Sequence, residues 1–565
     1  MKVIRLKQTM NSDRLMLFLI IILLATASIV YSAMVTSASF GATHDDSIYV
    51  TTAKALAMGE GYRIISLPDA PSQTKYPPFY PFLLSLIWRV YPQFPQNLTL
   101  MMLVSVFATV SFLALSYRYM VDHEYATRWQ ALIVVCLCAL NWRTFVLATA
   151  IFSEMVYAAL SVTALYLAEK YERENKSRRA GAMLGVVLGL AFLTRNSGIS
   201  LLAAVGVYFV LRRQWRRALL PILIGSVFVL GWIGWCYVNK SSVESPTMNY
   251  YTSYYRVSLD VISDMQMANH SSKLATVLTL VLKNAIMLLA VTPPVICMGL
   301  TYDWPQLLTQ NSFKLGLGVF IIVLALIVLG FRRLNTKRCR LLHLYVLLYM
   351  APQLFWPFPI YDRFLMPLLP FLLLFIVAEL TTLFSVVRKQ LGSATQRTQR
   401  ISAAFVGLAM LMVAGVTPWT YWLGANQFRS YSRNMAAGAL QDAEAMEWIQ
   451  GHSDTSDVLL CDRDPKYYLY TNRKATRTEP MRGDDLLGHR DVSDQVVRII
   501  EDSRATYLIL RGAGYASAGA LQLESFEKAY EDIIQKNSKG FIPVYAASDG
   551  SFRIYQIDRS GGPIQ

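Results

Sequence analysis

Long apolar runs alternate along this chain with short polar, mostly basic, segments. The alternation starts near Leu15 and stops near residue 423. The runs lie at about 15–36, 98–117, 128–146, 150–168, 180–194, 197–211, 217–238, 314–331, 340–357, 363–387 and 401–423. A helix of roughly 20 apolar residues crosses the hydrocarbon core of a bilayer, so the pattern predicts about eleven spans. A further run, 274–299, carries Lys283, Asn284 and the break Pro293-Pro294. Counting it as a span would put the basic segment Arg332 to Arg340 on the wrong side, so it is expected to be interfacial or re-entrant. The runs 180–194 and 197–211 are short. They predict a helical hairpin whose tip, Thr194 to Ser197, stops inside the membrane near its outer face.

After Gly424 the pattern changes. Residues 433–451 have helical spacing, with Met446, Trp448 and Ile449 among polar positions. Val458-Leu459-Leu460 and Tyr507 to Leu510 read as short buried strands, and Val492 to Ile500 and Leu521 to Ile534 as helices. Phe541 to Tyr545 and Phe552 to Ile557 flank Asp549-Gly550, a hairpin turn signal. The expected organisation is a membrane-embedded domain, 1–423, and a small α/β domain, 424–565. The fold class is mainly α and polytopic. Asp462-Arg463-Asp464 after the first strand could line a site, but a solvated loop is the expected reading, since most such loops are.

Composition agrees with this reading. The 565 residues are 54% hydrophobic with a formal net charge of +16 and mean hydropathy +0.36. The Lys and Arg residues cluster between apolar runs: Lys2 to Arg14, Lys170 to Arg179, Arg212 to Arg217, Arg332 to Arg340 and Arg388 to Arg400. That is the positive-inside pattern of a membrane protein, with anionic lipid rather than nucleic acid as the partner of the charge. It places the N-terminus in the cytoplasm and the C-terminal domain outside. The first run lacks a small-residue cleavage site and reads as a retained signal anchor. Cys136, Cys138, Cys236, Cys297, Cys339 and Cys461 form no CxxC pair, so neither a disulfide framework nor a zinc site follows.

The candidate chemistry lies on the expected outer side. Thr43-His44-Asp45-Asp46 follows the first span, and carboxylates at a membrane mouth are costly to place without a role. One can act as a general base, and a second can orient it or hold a divalent metal. The plainer reading is that Asp45 or Asp46 caps a helix starting near Ile48. Glu154, in Phe152-Ser153-Glu154-Met155, is a second acid or simply a helix-end carboxylate. Arg195 and Arg363 suit phosphate binding, or are snorkelling interfacial arginines. Asp362 beside Arg363 also permits a plain ion pair. Lys75 precedes Tyr76-Pro77-Pro78-Phe79-Tyr80-Pro81, a rigid aromatic ledge where it could meet a lipid-linked phosphate, or an interfacial anchor. Tyr250, Tyr251, Tyr254 and Tyr255 could stack on a sugar or sit at the headgroups.

The ordered set of the acidic pair, KYPPFYPFLLSLIW, FSEMVYAAL around Glu154, GLAFLTRNSGI around Arg195 and YDRFLMPLLPFLLL around Arg363 resembles the GT-C superfamily of membrane glycosyltransferases. The likeness is to bacterial relatives of protein O-mannosyltransferases and of the lipid A aminoarabinose transferase, over roughly the first 390 residues. It implies a polyprenyl-phosphate sugar donor and an acceptor glycan, lipid or protein at the outer face of a bacterial inner membrane, with inversion at the anomeric carbon. Asp45 or Asp46 would be the base and Glu154 the second-loop acid. Lys75, Arg195 and Arg363 would be the donor-phosphate candidates. A divalent cation, Mg or Mn, is left open, with Asp45, Asp46 and Glu154 as its ligands. The pair here is Asp-Asp where many relatives carry Asp-Glu, so which acid works is undecided. A flippase of lipid-linked glycan and a non-catalytic envelope scaffold are the alternatives. No internal repeat supports the first, and replacing Asp45 and Asp46 by Asn separates both from an enzyme.

Overall fold

The computed structural model describes residues 2–41, 43–173, 177–240, 250–299, 313–335, 340–393, 397–478, 493–512 and 524–560. Cys339, Val492, Leu521 and parts of the basic loops lie outside them.

Among the described residues, five helical stretches are long and apolar enough to cross a membrane: Arg14–Ala33, Asn97–Asp122, Trp215–Val238, Lys273–Cys297 and Asp362–Val387. A sixth is reached only by joining Arg128–Leu140 to Trp142–Thr149 across a 64° bend. Helices also form at Ser153–Arg173, Arg178–Thr194, Gly198–Leu211 and Leu341–Met350. The membrane character is plain from the lipid-ready surface of Trp215–Val238, where Leu219, Leu223, Val227 and Leu230 are exposed.

Two expected elements differ. The single run 128–146 is broken at Asn141, whose side chain accepts from Arg143 N (3.0 Å) and donates to Ile296 O (2.8 Å). Asn141 therefore caps a second helix, and the chain turns there instead of running on. The run 274–299 meets the same length and hydropathy measure as the other spans. Its proline pair is taken up by a π turn, Met287–Val291, leading into Thr292–Cys297. Asn284 Nδ2 donates to the carbonyls of Leu354 and Trp356, at 3.1 and 2.8 Å, while its Oδ1 has no hydrogen-bond partner among the described residues. By length and hydropathy the segment is one more candidate span, where the sequence pattern predicts an interfacial or re-entrant one.

One helix of 56 residues, Arg397–His452, carries the chain out of the apolar region. The boundary expected at 423/424 falls within it. Beyond it lies a five-stranded sheet of β1 (Val458–Cys461), β2 (Lys474–Arg477), β3 (Tyr507–Arg511), β4 (Phe541–Ala546) and β5 (Phe552–Ile557), in the order β2-β1-β3-β5-β4. β1 pairs parallel with β2 and β3, while β5 pairs antiparallel with β3 and β4. Alternation divides each strand between two cores. Leu460, Leu508 and Leu510 pack under the helices Ser493–Asp502 and Glu524–Lys536. Leu459, Cys461 and Ile509 pack against Ala445, Met446 and Ile449 of the long helix. β2, Lys-Ala-Thr-Arg, was not expected, because four residues with one apolar position carry no strand signal.

The sheet is docked on the first loop of the membrane domain. Ala475 N donates to Ser66 O (2.9 Å) and Lys474 Nζ to Ile65 O (2.6 Å). Tyr470 meets Phe94 edge-on at 4.8 Å. These contacts bring α/β residues beside the acidic pair.

Candidate functional site

The acidic pair opens the helix His44–Met58, which starts four residues earlier than expected and ends at Gly59 in the left-handed conformation, φ 81°. Both acids lie in its first turn, yet their surroundings differ. Asp46 is buried; its Oδ2 accepts from Gly41 N (2.8 Å) and its Oδ1 from Ser47 N (2.6 Å). Burial pushes its carboxyl up to about 7, against those two amide donors and with the charge of Asp45 adding to the rise. Neither acid caps the helix, whose N-cap is Thr43; Asp46 lies in the first turn and its carboxyl ties down the preceding turn through Gly41 N.

Asp45 faces open space and is a quarter exposed. Its Oδ1 accepts from Tyr76 Oη (2.6 Å), and Arg363 Nη2 lies 3.4 Å from its Oδ2. Burial alone would raise its pKa, but Arg363, Lys75 and the Tyr76 hydroxyl outweigh it and hold the carboxyl below the usual carboxylate range. Asp45 is thus held ionised, while Asp46 keeps its proton to a higher pH.

Glu154 sits in the first turn of Ser153–Arg173 and is buried. Its Oε1 lies 2.9 Å from Arg195 Nη1 and 4.0 Å from Arg363 Nε, while its Oε2 is buried without a hydrogen-bond partner. Arg195, at the end of Arg178–Thr194, also donates to Ser153 Oγ (3.0 Å). Arg363 bridges Asp45 and Glu154, and its guanidinium lies over Phe152, Tyr361 and Phe364 at 5.5 to 5.8 Å. The plain Asp362–Arg363 pair does not form between side chains. Asp362 is held by Arg143, with Nε–Oδ2 at 2.8 Å and Nη2–Oδ1 at 2.7 Å, which leaves the Arg363 guanidinium to the acids.

Lys75 is buried, with Nζ 3.9 Å from the centroid of Tyr250. Burial lowers its pKa to about 7; Arg477 lowers it further and Asp45 opposes both. The backbone around it is pinned by Gln73, whose Oε1 accepts from Lys75 N (2.8 Å) and Tyr76 N (3.2 Å), while Gln73 O accepts from Trp235 Nε1 (2.9 Å). Trp235 belongs to an apolar cleft of about 560 Å³ lined also by Tyr62, Pro78, Phe79, Phe82 and Trp232. The segment Lys75 to Pro78 thus touches Asp45 through Tyr76 and lines the cleft through Pro78.

The structure brings Asp45, Lys75, Glu154, Arg195 and Arg363 together and turns Asp46 to the backbone. The three acids do not converge as a metal site. Asp46 spends both oxygens on amides, and a guanidinium stands between Asp45 and Glu154. Among the described residues no group of three or more His, Cys, Asp or Glu could hold a metal ion.

One expectation is corrected. Asp464 is not in a solvated loop but fully buried; its Oδ1 lies 2.5 Å from His44 Nε2 and its Oδ2 accepts from Tyr251 Oη (2.6 Å). Neighbouring Asp442 is buried with Lys466 (2.6 Å) and Arg463 (3.0 Å), which, with Arg511, overcome burial and hold its carboxyl far down. Tyr250 and Tyr251 are buried too, with Tyr250 Oη 2.9 Å from His44 Nδ1, whereas Tyr255 is exposed. The side chain of Tyr254 lies outside what is described. Sequence reasoning missed Tyr76 as a donor, and Arg143, His44 and Arg477. Tyr76 and His44 stood inside the motifs; the others carried no local signal.

Residues 74–352 match the model of glycosyltransferase family 87. Among solved structures, the chain is similar to the Archaeoglobus fulgidus oligosaccharyltransferase tethered with an acceptor peptide containing the NVT sequon. The TM-score is 0.54 at 12% identity, covering 97% of this chain and 75% of that one. It is also similar to oligosaccharyltransferase AglB from Archaeoglobus fulgidus in complex with an inhibitory peptide and a dolichol-phosphate, with TM-score 0.51, 11% identity and the same coverage. ArnT from Cupriavidus metallidurans bound to undecaprenyl phosphate is more distant, with TM-score 0.49, 14% identity, 96% of this chain and 99% of that one. At these identities the likeness is one of fold. No curated protein matches the chain.

Proposed function

We propose, from the premise that the chain is a membrane glycosyltransferase of the GT-C superfamily, that it moves a sugar from a polyprenyl-phosphate donor to an acceptor hydroxyl with Asp45 as general base. The observation that carries this reading is the position of Asp45. It is an ionised, partly open carboxylate with Arg363 and Lys75 as its cations, and the Lys75-to-Pro78 segment that touches it through Tyr76 lines an apolar cleft through Pro78. An isoprenoid chain suits the cleft and a phosphate suits the cations. AglB has been seen with a dolichol-phosphate, which is in keeping with a lipid-phosphate donor.

The reaction is a single displacement. The acceptor oxygen attacks the anomeric carbon as its proton passes to Asp45. The bond from that carbon to the phosphate oxygen breaks, and its electron pair leaves with the polyprenyl phosphate. One displacement inverts the anomeric configuration. The cations offset charge gathering on the departing phosphate. Tyr76 and Arg363 fix the orientation of the base, and the unpartnered Glu154 Oε2 is the candidate contact for the acceptor. No step is routed through a metal.

The helix Ser153–Arg173 has Glu154 in its first turn and Lys170 and Arg173 in its last. By the positive-inside rule the site then faces away from the cytoplasm, with the N-terminus inside and the C-terminal domain outside. An inner-membrane enzyme of a bacterium fits this arrangement. The test is reconstitution with a polyprenyl-phosphate sugar. Asp45→Asn should abolish release of polyprenyl phosphate while donor binding persists. A variant that keeps full transfer would remove Asp45 as the base, and a wild type that releases no polyprenyl phosphate would favour a flippase or scaffold.

A further inference from the structure

Arg143 and Asp362 are 219 positions apart and meet in two parallel contacts, Arg143 Nε to Asp362 Oδ2 at 2.8 Å and Nη2 to Oδ1 at 2.7 Å. Asp362 is buried, and its Oδ1 also accepts from Arg363 N (2.9 Å), so both carboxylate oxygens are engaged. Arg143 is set in place by its own segment. It follows Asn141, which accepts from Arg143 N and is tied to Ile296 O, and its guanidinium lies 4.1 Å from the centroid of Trp142. The pair stands directly before Arg363, whose guanidinium reaches Asp45 at 3.4 Å and Glu154 at 4.0 Å. Those two contacts are long for charge-assisted hydrogen bonds, while the Arg143–Asp362 contacts are short. An unpaired carboxylate tethered one residue away would compete with them for Arg363, and Arg143 is the group that occupies it.

We propose that Arg143 is a positioning residue for the transfer reaction: by occupying Asp362 it keeps the Arg363 guanidinium on Asp45 and Glu154. This rests on Asp45 as the base in the function proposed above and deepens it, since Arg143 acts on the base only through Asp362 and Arg363. Removing the Arg143 charge leaves a buried carboxylate without its cation, a costly state in a low-dielectric site. The cation tethered one residue away is Arg363. When its guanidinium turns to Asp362, Asp45 loses a charge that holds it ionised. Asp362 is then a hazard only while Arg143 is missing, and neutralising it should restore the base. The other groups facing Asp45 are Tyr76 and Lys75 from the first loop and His44, Asp46 and Tyr49 from its own helix, while Glu154 shares Arg363 with it. Substituting Arg143 or Asp362 alters none of them.

The experiment titrates Asp45 in the full-length detergent-solubilised protein by infrared spectroscopy, with the Asp45→Asn difference in each background isolating its carboxyl band. Arg143→Gln should move the Asp45 titration to higher pH. Adding Asp362→Asn to that variant should return it to the wild-type position. A defect of the fold alone would lower the melting temperature and leave the titration where it is. In the release assay above, Arg143→Gln should lose about tenfold or more in kcat, and the double variant should recover to within about threefold of wild type. Arg143→Lys serves if the Gln variant fails to fold: it keeps a charge without the two parallel contacts, and should show a smaller shift in the same direction. An Asp45 titration unmoved in the folded Arg143 variant, or moved but not returned by Asp362→Asn, overturns the role of Arg143 while the function proposed above stands. Full release by Asp45→Asn overturns that function and this role with it, whatever the titration shows.

Discussion

His44 Nε2 lies 2.5 Å from Asp464 Oδ1, a contact between residues 420 positions apart that ties the α/β domain to the residue next to the proposed base. Asp464 also accepts from Tyr251, so one buried carboxylate holds two elements of the site in register. Asp464→Ala leaves both donors without a partner, a loss of about 1–3 kcal/mol per orphaned group. The expected outcome is a lower melting temperature and at least a tenfold drop in kcat, with Asp464→Asn milder in both. Thermal melts and turnover measured together check it; full activity in a destabilised Ala variant would show that the contact serves stability alone.

The two acids of the pair should respond differently to substitution. Asp45→Asn removes the ionised carboxylate and should reduce transfer by 100-fold or more, on the order of what a positioned base contributes. Asp46→Asn replaces a carboxyl whose pKa burial raises and whose oxygens accept from the amides of Gly41 and Ser47. It should cost about 1 kcal/mol of stability and keep more than a tenth of the activity. Equal loss in both variants would contradict the division of roles.

Asp46 also sets a pH dependence of stability. Its folded pKa, about 7, is above its ordinary value, so folding favours the protonated form. The contribution is fully present below the ordinary carboxylate pKa and is lost as pH rises through about 7. Melting curves of wild type minus Asp46→Asn across this window should show the difference shrink or reverse with rising pH.

Lys75 gives the opposite sign and a functional readout. Its folded pKa is depressed to about 7, so above that pH the folded protein binds fewer protons there than the unfolded chain, and stability from this group rises from about 7 toward the ordinary lysine value. On the proposed function, Lys75 meets the donor phosphate only in its charged form. Donor affinity should therefore fall as pH climbs past about 7, by up to about tenfold per pH unit. Lys75→Arg should flatten the profile, and a donor KM independent of pH in the wild type would contradict it.

Gly41 donates to Asp46 from the left-handed region, φ +76°, and a Cβ there would meet the stem of Lys466. Lys466 cannot move aside freely, because its Nζ is paired with buried Asp442. Gly41→Ala should cost about 1–2 kcal/mol from the backbone alone and more from the contact. It should shift Asp46 and lower activity, as melts and turnover of the purified variant would show.

The sequence by itself determined the membrane character, the helices and strands of the α/β domain except β2 and the helix Asp464–Thr471, and the members of the acid–arginine set. Each of these rests on local signals: apolar runs, alternation, a turn pair, and charges in costly places. Asp45 and Asp46 looked equivalent in that reading because neighbours along the chain share composition. Only the tertiary structure gave one carboxylate to Tyr76 and Arg363 and the other to the amides of Gly41 and Ser47. It also moved Asp362 away from Arg363 by offering Arg143 through the bend at Asn141, and it buried the loop around Asp464. Burial and pairing depend on what distant segments bring within a few ångströms, and no window of residues along the chain carries that information.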